Sequence, residues 1–353
     1  MLEESTITTT HGAIHVIQAG KPTSPFVLLL IHGNSSSSKV WRHIFRSEYL
    51  TSRYQIIALD LPGHGQSSNA IEPEQTYTMR GYAECASEFL TQLQVTNVVI
   101  LGWSLGGHIA LELSSLLQQH QTPSPIHIHG IMLVGTPPAS GPTQTAMGFS
   151  KTSKPPAVSF ASQEFLTEAE ATAFIHLATG RPTQPWQREA AIRTDGRARR
   201  IMFAAFVAGK GVDQVQVVEQ SKETLYAVVN GAEEPLVNLD YLDKLTWGRL
   251  WKGRCIRMEG AGHAPFWEQP REFEQILREF WWTLIINRDG GVVVENVTWK
   301  ELAQQIKNEL KPIFEADAGD KSGFFPSTTQ CTTGLIAKSP AWVDLPGDNP
   351  AAD

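Results

Sequence analysis

Short apolar runs alternate with amphipathic stretches over the first 141 residues. Residues 13–17 alternate in the manner of a strand, and 26–31 form a continuous apolar run, as a strand buried on both faces requires. Similar runs recur at 55–59, 98–101 and 130–134, and helical spacing appears at 79–93 and 105–117. This alternation predicts a mostly parallel sheet with helices on both faces and right-handed crossovers.

The pattern breaks at Gly135-Thr136-Pro137-Pro138, and residues up to about 156 read as a Pro-, Ser- and Thr-rich loop. Three helical stretches follow with no strand between them, at 167–179, 186–194 and 197–208, the first opened by the capping-box pair Thr167 and Glu170. Strand character returns at 225–229 and 255–258, and a helix is predicted over 270–286 with Pro270 at its start. The expected organisation is a core of 1–141 and 223–286, a helical insertion of 142–222 and a C-terminal extension of 287–353. That extension is expected to be partly helical at 298–314 and otherwise weakly ordered.

Composition narrows the function classes. The 353 residues are 41% hydrophobic with a net charge of −7, which suits one large buried core and does not suit a nucleic-acid surface. No stretch reaches the roughly 18 consecutive apolar residues of a membrane helix. Residues 1–10, with Glu3 and Glu4, carry neither a basic start nor an apolar stretch, so no signal peptide is expected. Cys85, Cys255 and Cys331 are odd in number and widely spaced, which predicts no disulfide framework and a cytoplasmic setting. The sequons at Asn34 and Asn296 are then chance matches.

The chemistry concentrates in Gly102-Trp103-Ser104-Leu105-Gly106, which joins an apolar strand to a helix. Small flanking residues permit a sharp, strained turn that lifts a serine hydroxyl above the sheet. The N–H of the next residue then sits at a helix N-terminus, where negative charge is favoured. A serine nucleophile needs a base, and the base needs an orienting acid. Among 11 histidines, His263 stands out because it follows the last predicted strand in the loop Gly260-Ala261-Gly262-His263-Ala264-Pro265. Candidates for the acid are Glu233 and Glu234 after the strand at 225–229, and Asp240 on a short helix beyond. A second oxyanion donor is expected after the strand at 26–31, the backbone N–H of Asn34 joining that of Leu105.

Together these segments are identified as those of the α/β-hydrolase superfamily. The resemblance rests on His32-Gly33-Asn34, Asp60-Leu61-Pro62-Gly63-His64-Gly65, Gly102-Trp103-Ser104-Leu105-Gly106-Gly107 and Gly262-His263-Ala264-Pro265, in the family's order. It implies an eight-stranded, mostly parallel sheet with a helical cap and no cofactor. It also implies Ser104 as nucleophile, His263 as base, Asn34 and Leu105 as oxyanion-hole backbones, and structural roles for His32, Asp60 and His64. The family's acid loop is Gly-x-x-Asp-Pro; here Gly231-Ala232-Glu233-Glu234-Pro235 favours Glu234, with glutamate in place of the commoner aspartate. A serine at the elbow, where dehalogenases of this fold carry aspartate, suits carbonyl chemistry on an ester, thioester, lactone or C–C bond beside a carbonyl. The expected partner is a small apolar acyl substrate, with Trp103, Phe266 and Trp267 as candidate pocket residues. An acyltransferase and a ligand receptor are the competing readings. His127 and His129 are read as strand histidines facing one side rather than as metal ligands, and Arg193, Arg197, Arg199 and Arg200 as a solvated helix face. Oligomeric state is not encoded legibly.

Overall fold

A computed structural model describes residues 2–119, 124–149, 157–180 and 183–288, all within one compact unit, 1–296. The expected helix over 298–314, the rest of the extension and Cys331 lie outside the described residues.

Eight strands form one sheet: β1 (Glu3–Thr9), β2 (Gly12–Gly20), β3 (Val27–Ile31), β4 (Gln55–Leu59), β5 (Asn97–Trp103), β6 (His127–Val134), β7 (Leu225–Gly231) and β8 (Ile256–Met258). Their spatial order is β1-β2-β4-β3-β5-β6-β7-β8, antiparallel at β1–β2 and β2–β4 and parallel throughout the rest. The helices are α1 (Arg42–Phe45), α2 (Glu48–Thr51), α3 (Pro73–Thr76), α4 (Met79–Gln92), α5 (Leu105–Gln119), α6 (Gly141–Gly148), α7 (Ala157–Ser162), α8 (Glu168–Thr179), α9 (Pro185–Arg193), α10 (Gly196–Val207), α11 (Gln214–Gln220), α12 (Leu239–Lys244), α13 (Pro265–Glu268) and α14 (Pro270–Arg288).

The continuous apolar run of β3 is explained by its central place. Leu29 and Ile31 enter the core beneath α4 and α5, whereas Leu28 and Leu30 enter the opposite core with Phe273, Phe280 and Trp281 of α14. Burying each such side chain contributes about 1.5–3 kcal/mol, so the central strands are among the most strongly specified elements. β1 carries no apolar strand pattern. Its Thr- and Glu-rich residues are mostly exposed, and it is held as an antiparallel edge by β2.

Between β6 and β7 the chain forms six helices, α6–α11, and no strand among the described residues. The stretch 135–156, expected as a loop, differs in part. The described part of it contains α6, a short helix with proline in its first turn, which presets the helical φ. His127 pairs with Asn97 across the β5–β6 register, and His129 is bonded through Nε2 to the same Asn97 (2.8 Å) and packs against the Phe26 ring (4.6 Å); the register shifts between Val98 and Val99. Among the described residues no helix is long and apolar enough to cross a membrane.

Candidate active site

In a parallel sheet, segments that follow different strands are brought to one edge, the carboxyl ends of the strands. β3 delivers His32 to Asn34 there, β5 delivers Ser104, β6 delivers Gly135, β7 delivers Glu234 and β8 delivers His263. Ser104 takes φ +53°, a left-handed conformation that costs a side-chain-bearing residue free energy. Its surroundings enforce the turn. Ser104 N–H donates to the Val134 carbonyl (2.7 Å), and the Ser104 carbonyl accepts from Gly107 N–H (3.0 Å) and the Thr136 hydroxyl (2.9 Å). Only glycine fits at 106, because a Cβ there would lie 2.0 Å from the Ile31 carbonyl oxygen. Leu105 is the first residue of α5, so its N–H belongs to the helix's unpaired first donors.

His263 is buried and anchored from several sides. Its Nδ1 lies 2.7 Å from Glu234 Oε2, and the two side chains are 3% and 0% exposed. The other carboxylate oxygen of Glu234 accepts the N–H groups of Leu236 (2.7 Å) and Val237 (3.3 Å), so both its oxygens are engaged. With Nδ1–H given to the carboxylate, Nε2 keeps the lone pair that a general base needs. The imidazole rests on Gly135, whose φ is +61°; a Cβ at this position would come within 2.5 Å of the ring. The indole N–H of Trp103 donates to the His263 carbonyl (3.0 Å), tying the residue before Ser104 to the histidine loop.

The competing acids lie elsewhere. Glu233 is exposed and accepts Gly260 N–H (3.1 Å), while Asp240, 76% exposed, pairs with Arg257. Of the expected pocket residues, Trp103 and Phe266 are fully buried and packed edge-on (5.3 Å), with Trp103 also against the His263 ring (5.7 Å). Trp267 is buried farther out, between Trp186 (5.6 Å) and the Arg42 guanidinium (4.6 Å).

Asn34 follows β3, and its side-chain amide donates to the Ala161 carbonyl (2.9 Å), at the end of α7. Arg199 departs from the expected solvated helix face. It is 2% exposed and donates to the carbonyls of Gln163, Glu164 and Ala191 and to the hydroxyl of Ser35. Arg193 likewise donates to the Ser67 carbonyl (2.6 Å), and Asp195 accepts from Tyr77 (2.7 Å). Arg197 and Arg200 do sit at the surface, paired with Asp195 and Glu164. These bonds fasten the helices between β6 and β7 onto the loops that follow β3 and β4.

His32 and Asp60 build those loops. His32 donates from Nδ1 to the Gly33 carbonyl (2.8 Å) and accepts Leu61 N–H at Nε2 (3.0 Å), and burial lowers its pKa, so the neutral ring fits both bonds. Burial pushes His64 down to about 3, keeping it neutral beneath the Pro62 carbonyl. Burial alone would raise the Asp60 carboxyl, but the hydrogen bond from His15 and those from Gln66 and Ser38 N–H outweigh it and hold the pKa at about 2. A depressed carboxyl contributes stability above its unfolded pKa that is lost as pH falls through the folded one, here between about 4 and 2. The shift corresponds to about 2 kcal/mol. Asp60→Asn should therefore cost about 2–3 kcal/mol in urea unfolding at pH 7, and its deficit against wild type should shrink below pH 4. A deficit that does not change with pH would show that the charge is irrelevant there.

Among the described residues no group of three or more His, Cys, Asp or Glu side chains could hold a metal ion. Sequence reasoning missed Gly135 and Arg199. Gly135 at a strand exit was the one visible signal; Arg199 acts mainly on backbone carbonyls, which leave no local pattern.

Comparison with known proteins agrees with this architecture. Residues 27–270 match the family model for the alpha/beta hydrolase fold. An uncharacterized protein of Mycobacterium tuberculosis is 38% identical over 85 residues, 24% of each chain, so the match spans about a quarter of that relative's length. A pimeloyl-[acyl-carrier protein] methyl ester esterase of Aeromonas hydrophila is 28% identical over 72% of this chain and 94% of its own. The crystal structure of the N-acyl homoserine lactonase AidH complexed with N-butanoyl homoserine is 37% identical, with a TM-score of 0.73 over 80% of this chain and 97% of that one. With the strand order, the elbow serine and the family match in agreement, the chain belongs to the alpha/beta hydrolase fold family.

Proposed function

We propose that this protein is a cofactor-independent serine hydrolase that opens lactones or small esters carrying an apolar acyl group. The buried Glu234–His263 pair beside the strained Ser104 elbow carries the reading. Ser104 Oγ attacks the substrate carbonyl as His263 Nε2 takes the hydroxyl proton, and Glu234 stabilises the imidazolium. The oxyanion lies against the N–H groups of Asn34 and Leu105, each such donor contributing about 3–4 kcal/mol to the transition state. His263 then protonates the departing alkoxide, and water repeats the cycle on the acyl-enzyme. The helices α6–α11 act as the cap that shields this chemistry.

The lactone class is supported by likeness to AidH, of which one variant with serine replaced by glycine is complexed with N-hexanoyl homoserine lactone. The esterase relatives support the ester alternative. The test is a panel of N-acyl homoserine lactones, matched methyl esters and p-nitrophenyl esters, followed by proton release. Lactones should be opened with kcat/KM at least about tenfold above the methyl ester of the same acyl length, since each 1.4 kcal/mol of selective transition-state binding gives that factor. Preference for the methyl ester would move the substrate class to acyclic esters. No turnover of any member, or transfer only to added alcohols or amines, would overturn the hydrolase reading.

A further inference from the structure

Glu268 is the last residue of α13, half-buried, five positions beyond His263. Its two carboxylate oxygens are split around the histidine. Oε2 accepts the N–H of Gly262 (3.0 Å) and Oε1 accepts the N–H of Ala264 (3.0 Å), the residues immediately before and after His263. The backbone returns the contact, with Glu268 N–H donating to the Ala264 carbonyl (2.9 Å). On the same loop Trp103 holds the His263 carbonyl, Glu233 holds Gly260 N–H and Gln269 holds the Glu259 carbonyl. Of these anchors, Glu268 alone holds N–H groups of the residues on both sides of His263.

A carboxylate is the side chain suited to this, because both its oxygens are acceptors and bonds to a charged acceptor are roughly twice as strong as neutral ones. Holding the Ala261–Gly262 and His263–Ala264 peptides restrains the backbone of His263, and with it the direction of the Cα–Cβ bond that carries the imidazole to Glu234. Small errors in such placement are expensive: about 1 Å can cost about 100-fold in rate. The same carboxylate also meets the helices between β6 and β7. Gly180, at the end of α8 with φ +68°, lies so close that a Cβ there would sit 2.8 Å from Glu268 Oε2. Glu268, Gly180, His176 and His263 line a common crevice of about 370 Å³.

We propose that Glu268 is a positioning residue for the catalytic base, acting through His263 and not on the substrate. This rests on the Ser104–His263–Glu234 reading above. Glu268→Gln keeps the shape and the packing against Gly180, but it presents one amide N–H₂ to a backbone N–H. The expected result is a kcat about 10- to 50-fold lower on a p-nitrophenyl ester, with KM within about twofold of wild type. Glu268→Asp, which keeps the charge but is too short to reach both amides, should fall between the two.

The deciding measurement is a double-mutant cycle read as the rate of Ser104 labelling by a fluorophosphonate, on protein of verified melting temperature. In the wild-type background Glu268→Gln should slow labelling about tenfold or more; in a His263→Ala background it should change the residual rate less than about twofold. An equal loss in both backgrounds, or none in the first, would overturn the proposal. Failure of the underlying triad looks different, since Ser104→Ala and His263→Ala would then themselves leave turnover intact.

Discussion

Ser104→Ala is expected to lower kcat/KM by about 10⁴-fold or more on any substrate the protein turns over, since removing a triad nucleophile leaves only binding and oxyanion stabilisation. Stability should barely change. Ser104 is bonded through its backbone, to Val134, Gly107 and Thr136, and all three bonds survive truncation of the side chain. A second substitution separates chemistry from strain. The elbow holds Ser104 at φ +53°, which costs an L-residue about 1–2 kcal/mol and glycine almost nothing. Ser104→Gly should therefore be as inactive as the alanine variant yet more stable than wild type by about 1 kcal/mol in denaturant unfolding. Retained turnover in either variant would remove Ser104 from the reaction, and a destabilised glycine variant would show that the elbow is not strained.

That strain explains why the proposed nucleophile stands out in the sequence at all. A serine forced into a left-handed turn needs small neighbours where strand and helix backbones meet, and Gly106 against the Ile31 carbonyl is one such contact. The pattern is therefore local, five residues long and chemically constrained. His263 was legible for a related reason, since its loop bends through Gly260 and Gly262 after the last strand. The central strands were legible because both faces are buried, leaving Leu28 to Ile31 uniformly apolar.

What escaped detection depends on contacts between distant segments. β1 is mostly exposed and owes its place to pairing with β2. The short helices α6, α7 and α11 span only two turns or so, too few for periodicity to emerge. Arg199 was read with its charged neighbours, yet Arg197 and Arg200 point to the surface while Arg199 is buried among the carbonyls of Gln163, Glu164 and Ala191. Residues one and two positions apart on a helix face different ways, so a charge cluster in sequence need not be one in space. Glu268 acts through backbone amides, which leave no sequence signature, and Gly135 makes room for the His263 ring by lacking a side chain, marked only by a glycine at a strand exit.

The proposed acid is the least determined member in the sequence because Glu233 and Glu234 are adjacent and chemically identical. Only the path of the chain after β7 separates them. Glu234 is turned inward, where burial without partners would disfavour its charge. It meets three donors instead, the N–H groups of Leu236 and Val237 and the imidazole of His263. Glu233 is turned outward to Gly260. The two variants Glu234→Gln and Glu233→Gln should consequently differ by orders of magnitude. Glu234→Gln can present an N–H to Nδ1, which reverses the tautomer so that Nε2 carries the proton and cannot act as a base; by analogy with amide substitution in other triads the loss in kcat is about 10⁴-fold. Glu233→Gln can still accept from Gly260 and should lose less than about fivefold, and Asp240→Asn, at an exposed ion pair, should lose nothing measurable. The tautomer argument adds a pH signature. With the proton fixed on Nε2 of the neutral ring, raising the pH should not restore Glu234→Gln, and full recovery at high pH would show that the amide has not reversed the tautomer. A large loss in Glu233→Gln together with an active Glu234→Gln would reassign the acid and show that the chain after β7 rearranges in the working enzyme.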